Sequence, residues 1–236
     1  PLLAPYIAFT SDFQLISLRP LTQAQGYALS AYPHAHSRGE LAPAARQLDL
    51  ALPPRRNPRA RELALRLRAQ SPGDAAFVAS VMAYLRTGGF EYTLVPQRLG
   101  RDSVDELLFR TRQGFCGHYA SAFVDLMRAG GVPARVVTGY QGGEWNPIGA
   151  YLTVRQADAH AWAEVYLPGR SWVRVDPTAA VAPVRLEGGL GDAIPQAGQL
   201  PLLLRGGIPD WVRSARNNWE ALANQWNLWV LGYNTE

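Results

Sequence analysis

One thiol, one imidazole and one carboxylate in this chain are of the types that carry out covalent acyl chemistry. Cys116 is the single cysteine in 236 residues and lies in "RQGFCGHYASAFVDLMRAGG", residues 112–131. His160 opens "HAWAEVYL", and Asp176 closes "SWVRVD" just before Pro177. A free thiol ionises only near pH ~8.5, so a cysteine nucleophile needs a base at neutral pH. The imidazole needs a partner on its second nitrogen to fix its tautomer and to stabilise the imidazolium. A carboxylate following a neighbouring strand is a suitable partner. The opposing reading of Cys116 is a small buried hydrophobe, because free cysteine is often buried and this one continues an apolar stripe.

The elements that must position these groups can be read from periodicity. Cys116, Ala120, Phe123, Val124 and Met127 fall at i, i+4, i+7, i+8 and i+11, a helical stripe closed by Gly130-Gly131. Cys116 then lies in the first turn, where free N–H groups and the positive dipole end favour a thiolate. Its own backbone N–H becomes a natural donor to an oxyanion. Period-two alternation places His160, Trp162, Glu164 and Tyr166 on one strand face and Ala161, Ala163, Val165 and Leu167 on the other. The aliphatic side suits packing under a helix. His160, at the strand end, can be re-aimed by twist or a bulge.

His160 and Asp176 share a face only if the connection between their strands is odd or a bulge intervenes. A loop of Leu167 to Gly169 pairs them directly, and Pro168 to Arg170 places them diagonally. A two-residue turn at Pro168-Gly169 puts them on opposite faces. His118 is the rival base, but i, i+2 residues on a helix do not face each other, so it reads as exposed or lining the cleft.

Before the cysteine, residues 6–32 read as extended and 33–58 as a Pro- and Arg-rich loop. Helices are expected at 57–70, with Asn57 as cap and Pro58 in the first turn, and at 71–89, with Ser71 as cap. A strand "FEYTLV" and a short helix "SVDELLF" follow, the latter with Ser103 and Glu106 spaced as a capping box. After the cysteine helix come strands "PARVVTGY", "AYLTVRQ", "HAWAEVYL" and "SWVRVD". Residues 184–207 read as loop, and an amphipathic helix from about Pro209 carries Trp219, Leu222, Trp226 and Trp229 on one face. Helices followed by a run of antiparallel strands imply an α+β arrangement, with the cysteine helix packed on the sheet. The expected organisation is an extended segment 1–56, a core 57–183, and a loop with terminal helix 184–236.

Composition narrows the chemistry. All 23 basic residues are Arg and none is Lys, with a net charge of +4. That removes the lysine-dependent phosphate loop and Schiff-base chemistry. A single cysteine rules out an internal disulfide and a cysteine-rich zinc site. His34 and His36 lack acidic or cysteine neighbours and read as surface residues. "GGLGDAI" at 188–194 lacks the third glycine of a dinucleotide fingerprint and follows no strand. The Arg-rich stretch 59–68 reads as a solvated face, and no nucleic-acid partner is expected. No apolar run reaches the ~18 residues of a membrane span, and no secretory pattern opens the chain. The chain starts at Pro1, so it is expected to be a piece of a longer protein.

The blocks "GFCGHYASAFVDLMRAGGVPARVVTGY", "RQADAHAWAEVYL" and "WVRVDPTAAVAP" resemble the transglutaminase-like superfamily, a branch of the papain-like cysteine enzymes. The likeness spans roughly residues 50–183. It is strongest to periplasmic domains of bacterial inner-membrane members, whose "WNLWVLGYN"-like ending is also present here. The resemblance implies Cys116 as nucleophile, His160 as base and Asp176 as orienting carboxylate, without a cofactor. It implies acyl transfer from a glutamine carboxamide to a primary amine, a protein, peptide or cell-wall peptide substrate, and a membrane-tethered periplasmic setting. A hydrolase using water on the same residues, and an inactive peptide-binding module, are the alternatives. Animal members place a tryptophan upstream of the cysteine to hold the oxyanion. Here the first tryptophan is Trp145, downstream, and Tyr92 is the candidate substitute. The acidic clusters of calcium-activated relatives are missing, so no calcium requirement is expected.

Overall fold

The stripe beginning at Cys116 forms a 14-residue helix around which the core is built. In the computed structural model, which describes residues 7–10, 14–22, 30 and 40–183, the elements run as follows. A short antiparallel hairpin, β1 (Ile7–Phe9) and β2 (Leu15–Ser17), comes first. Then come α1 (Pro43–Leu50), α2 (Pro58–Ala69), α3 (Asp74–Thr87), β3 (Glu91–Tyr92) and α4 (Ser103–Glu106), the last running on as a single wide turn, Leu107–Thr111. β4 (Gln113–Gly114) leads directly into α5 (Cys116–Ala129). β5 (Ala134–Tyr140), the hairpin β6 (Glu144–Asn146) and β7 (Tyr151–Thr153), β8 (Ala159–Leu167), β9 (Ser171–Val175) and α6 (Thr178–Val181) complete it. The chain divides into two compact units, Pro1–Ala35 with Trp211–Glu236, and His36–Asp210. All elements from α1 onward belong to the larger unit. The predicted C-terminal helix, the loop before it, and His34 and His36 lie outside the described residues.

α5 is buried on nearly every side, not along one stripe. Ala120, Phe123, Val124 and Met127 pack as expected, and Tyr119, Ala122 and Leu126 are buried as well. β8 lies against one side of the helix and α2 against another. Burial on most sides is what a central element of two layers requires. Gly130 ends it where the Phe77 ring leaves no room for a Cβ. The sheet is antiparallel in the order β5-β8-β9, and its inner face supplies Ala134, Ala163 and Val165 to the core. This is the α+β architecture, helix on antiparallel sheet, that the sequence pattern implied.

Several local expectations are corrected. Residues 43–50 form α1, so the 33–58 stretch is not loop throughout. α1 buries no residue fully. Asn57 does not cap α2. It adopts φ 50°, donates from Nδ2 to Asp125 (3.2 Å) and accepts from Val104 N (3.2 Å). The free amides of α2 go instead to Asp105, which accepts from Arg59 N (3.0 Å) and Ala60 N (2.7 Å). Ser71 bonds Leu67 O (2.8 Å) rather than capping α3. Ser103 and Glu106 form no capping box, because Glu106 reaches Gly100 N (3.1 Å) and pairs with Arg110. "AYLTVRQ" does not join the main sheet; it pairs with β6, a strand the pattern did not reveal. The Arg-rich face of α2 is not simply solvated. Arg59 lies over the Phe109 ring (4.2 Å), and Arg68 binds Asp74 (2.9 Å).

Candidate active site

Each of the three chemical residues is delivered by a specific feature of backbone geometry. Cys116 is the first residue of α5, after Phe115 in extended conformation. As such, its N–H has no acceptor within the helix. The helix end is closed from the other side by His118, whose Nδ1 accepts from Phe115 N (3.3 Å) and whose ring meets the Phe115 ring edge-on (4.2 Å). His118 therefore acts as a cap at the start of its own helix. Its burial holds its pKa below the usual histidine value.

β3 and β4 pair in parallel, with Tyr92 opposite Gly114. Because β4 ends two residues before Cys116, this pairing sets Tyr92 beside the helix tip, where it is 6% exposed. There Tyr92 is among the groups that hold the Cys116 thiol below its ordinary pKa.

The connection between β8 and β9 is the odd one, Pro168 to Arg170. Leu167 pairs with Ser171, and Arg170 N donates back to Leu167 O (3.0 Å). Gly169 supplies the left-handed residue in this turn, with φ 75°. Register then runs to Ala163↔Val175, so the next step sets Asp176 opposite Trp162 and diagonal to His160. His160 Nε2 and Asp176 Oδ2 meet at 2.7 Å, with the imidazole side chain wholly buried. Asp176 Oδ1 accepts Thr178 N (3.1 Å), and Arg174 Nη2 lies 3.5 Å from Oδ2. Bonding on both oxygens fixes the carboxylate plane.

His160 Nδ1 is buried and makes no hydrogen bond of normal geometry among the described residues. With Nε2 committed to Asp176, Nδ1 is the nitrogen left for the sulfur. Burial pushes the Cys116 thiol up, but His160, the Ala161 N–H and Tyr92 outweigh it and hold the thiol below its ordinary value. Burial likewise opposes the imidazolium, yet Asp176 and Cys116 raise His160 to about 9. Burial also disfavours the Asp176 carboxylate, and bonding to His160 more than compensates, so its pKa is lowered. The three groups thus stabilise one charge pattern, thiolate–imidazolium–carboxylate.

Trp162, Arg174 and Thr178 were not singled out from the sequence. The Trp162 ring is stacked against His160 (6.2 Å between centroids, 25° between planes), and the Arg174 guanidinium covers Trp162 (4.4 Å). A Cβ on Gly139, the partner of His160 in β5, would come within 2.8 Å of Trp162 Cη2. Only the alternation of β8 hinted at Trp162, which shares its face with His160. A cleft of about 530 Å³ opens on Cys116 and His160, floored by Thr138, Gly139 and Tyr140 and walled by Phe115 and Gln156. Among the described residues no cluster of three or more metal-ligating side chains occurs, and no helix is long and apolar enough to cross a membrane.

Residues 61–177 match the transglutaminase-like superfamily. A protein-glutamine gamma-glutamyltransferase of Pseudomonas aeruginosa is 45% identical over 233 residues, which is 96% of this chain and 35% of that protein. This chain therefore spans about a third of the length of that curated relative. An uncharacterized protein of Bacillus subtilis, YebA, is 38% identical over 128 residues, 51% of this chain and 17% of that protein. The crystal structure of the periplasmic domain of TgpA from P. aeruginosa superposes with a TM-score of 0.77 at 46% identity, covering 81% of this chain and 66% of that one. The same domain bound to ethylmercury gives 0.74 at 46% identity, covering 78% of this chain and 66% of that one.

Proposed function

The chain belongs to the transglutaminase-like superfamily, and from that premise we propose that it transfers the acyl group of a protein glutamine side chain to a primary amine through a Cys116 thioester. The observation that carries the reading is the buried 2.7 Å His160–Asp176 bond beside a thiol whose pKa is lowered at a helix N-terminus. With His160 protonated at neutral pH, the sulfur is held as thiolate and attacks the carboxamide carbon. The developing oxyanion is received by the Cys116 N–H and the Tyr92 hydroxyl. The imidazolium gives its proton to the departing nitrogen as ammonia leaves. An amine then attacks the thioester, His160 takes its proton, the C–S bond breaks and the thiolate is restored. Asp176 holds the imidazole in one tautomer throughout.

Similarity to a periplasmic domain supports a periplasmic location for this one, tethered through membrane segments elsewhere in a longer protein, with envelope proteins or cell-wall peptides as substrates. The test uses a glutamine-containing peptide and a labelled primary amine, with incorporated amine and released free acid both quantified. Amine incorporation by the native protein and none by Cys116→Ala is the expected result. Free acid alone would make the protein a cysteine amidase on the same residues. Neither product would leave only peptide binding.

A further inference from the structure

The two edges of the three-stranded sheet are built differently. Exposed sheet edges attract foreign strands, and proteins blunt them with charge, proline or short length. β9 is five residues long, has Arg170 at its turn and Arg174 within it, and is followed by Pro177 two residues on. β5 has seven residues, "ARVVTGY", with no charge after Arg135 and no proline.

The hydrogen-bond phase of β5 is fixed by its ends. Tyr166 N donates to Pro133 O (2.9 Å), and Gln141 N donates to Asp158 O (2.8 Å). With Arg135↔Glu164, Val137↔Trp162 and Gly139↔His160 in register, odd-numbered residues turn their N–H and C=O toward β8. Even-numbered residues turn theirs to the outer edge. Ala134 O is taken there by Arg128 Nε (2.8 Å). Val136, Thr138 and Tyr140 have no backbone partner on that side among the described residues. Val136 is 41% and Tyr140 54% exposed, and Thr138 and Tyr140 floor the cleft that opens on Cys116.

We infer that the outer edge of β5, from Val136 to Tyr140, is the rail that binds the glutamine donor as an extended polypeptide, added to the sheet as a fourth strand. Donor and acceptor groups recurring every two residues, ~7 Å apart, match the main chain of an extended peptide. A sugar, a nucleic acid or a lipid surface has no such repeat. The rail leads into the cleft beside Cys116, so a strand bound on it passes the sulfur and can present a side chain there. Recognition through main chain implies tolerance of many flanking sequences. The inference rests on the acyl-transfer reading for the identity of the bound chain as donor, whereas the free edge itself does not.

Two measurements test it. In the first, peptides with one central glutamine, each N-methylated at a single backbone nitrogen, are compared by kcat/KM for amine incorporation. Methylation is expected to lower kcat/KM roughly tenfold at alternate positions, the loss of about one hydrogen bond, and to be tolerated between them. A flat profile, or equal loss at consecutive positions, overturns the inference. In the second, amide hydrogen exchange of the Cys116→Ala protein is followed with and without the unmethylated peptide. Slowing is expected at Val136, Thr138 and Tyr140, and little change at Val137 and Gly139, which already face β8. No slowing at the even positions overturns the rail even if turnover is observed. Protection that appears without peptide and grows with protein concentration assigns the edge to a second copy, and also overturns it. Peptide-dependent protection without any turnover keeps the rail and removes the acyl-transfer reading.

Discussion

Replacing Asp176 by alanine removes the one acceptor of His160 Nε2, and the consequence can be worked through to the sulfur. In the native protein His160 stands at about 9 against an ordinary value of 6.5, a preference for the imidazolium of roughly 3 kcal/mol, produced by Asp176 and Cys116 against burial. The imidazole side chain is wholly buried, so water does not substitute for the lost carboxylate. Without Asp176, burial dominates and the ring is neutral at pH 7. Cys116 then loses the cation that offset its own burial, and its pKa rises to or above the ordinary thiol range. At pH 7 the thiolate fraction becomes of order 1%. The assay is the rate of iodoacetamide alkylation between pH 5 and 10, read by intact mass, with Cys116 as the sole thiol. Native protein is expected to react rapidly and almost independently of pH around neutrality. Asp176→Ala should react about a hundredfold more slowly at pH 7 and climb only above pH ~8.5. Identical pH–rate curves for the two folded proteins would show that Asp176 does not control the Cys116 thiol.

Three further outcomes are expected. Tyr92→Phe should lower kcat by about a hundredfold, the usual cost of one oxyanion donor, while urea unfolding stays near native. Asp105→Ala leaves two amides of α2 unpaired and should cost about 2 kcal/mol in urea denaturation. Asp125 is raised by burial, so its native state holds the proton more tightly than the unfolded chain, and stability falls as pH rises through that raised value. Asp125→Asn keeps an acceptor for Asn57 and should be more stable than native by roughly 1 kcal/mol at pH 7, with the gain vanishing below the ordinary carboxylate range; equal stability at both pH values would contradict it.

What could be read from the sequence is what obeys a short period. α5 announced itself because Cys116, Ala120, Phe123, Val124 and Met127 face one way, and β8 because small aliphatic residues alternate with large ones. The Pro-Gly turn left three registers open, and only coordinates choose Pro168 to Arg170. Parity could say that His160 and Asp176 share a face only if the loop is odd; the register shows that it is, and that they sit one pair apart. The long-range contacts left no periodic trace. Asp105 caps a helix that begins 47 residues earlier in the chain, at Pro58, and took the place of the local cap expected at Asn57. Arg174 closes over Trp162 because neighbouring strands bring them together, a relation invisible to spacing along one strand. His118, adjacent to the sulfur in sequence, turned its ring back to the helix start, whereas distant Tyr92 arrives through a two-residue parallel pairing.

Acyl transfer by this route requires a covalent intermediate at one atom, the Cys116 sulfur. Native protein mixed with a glutamine peptide and no amine, then quenched in acid, should carry the peptide mass less one ammonia on Cys116, located by fragment mass spectrometry. The adduct should disappear when a primary amine is added before the quench, and should not form on Cys116→Ala. Turnover of glutamine with no such adduct, or with the adduct on another residue, would contradict the account.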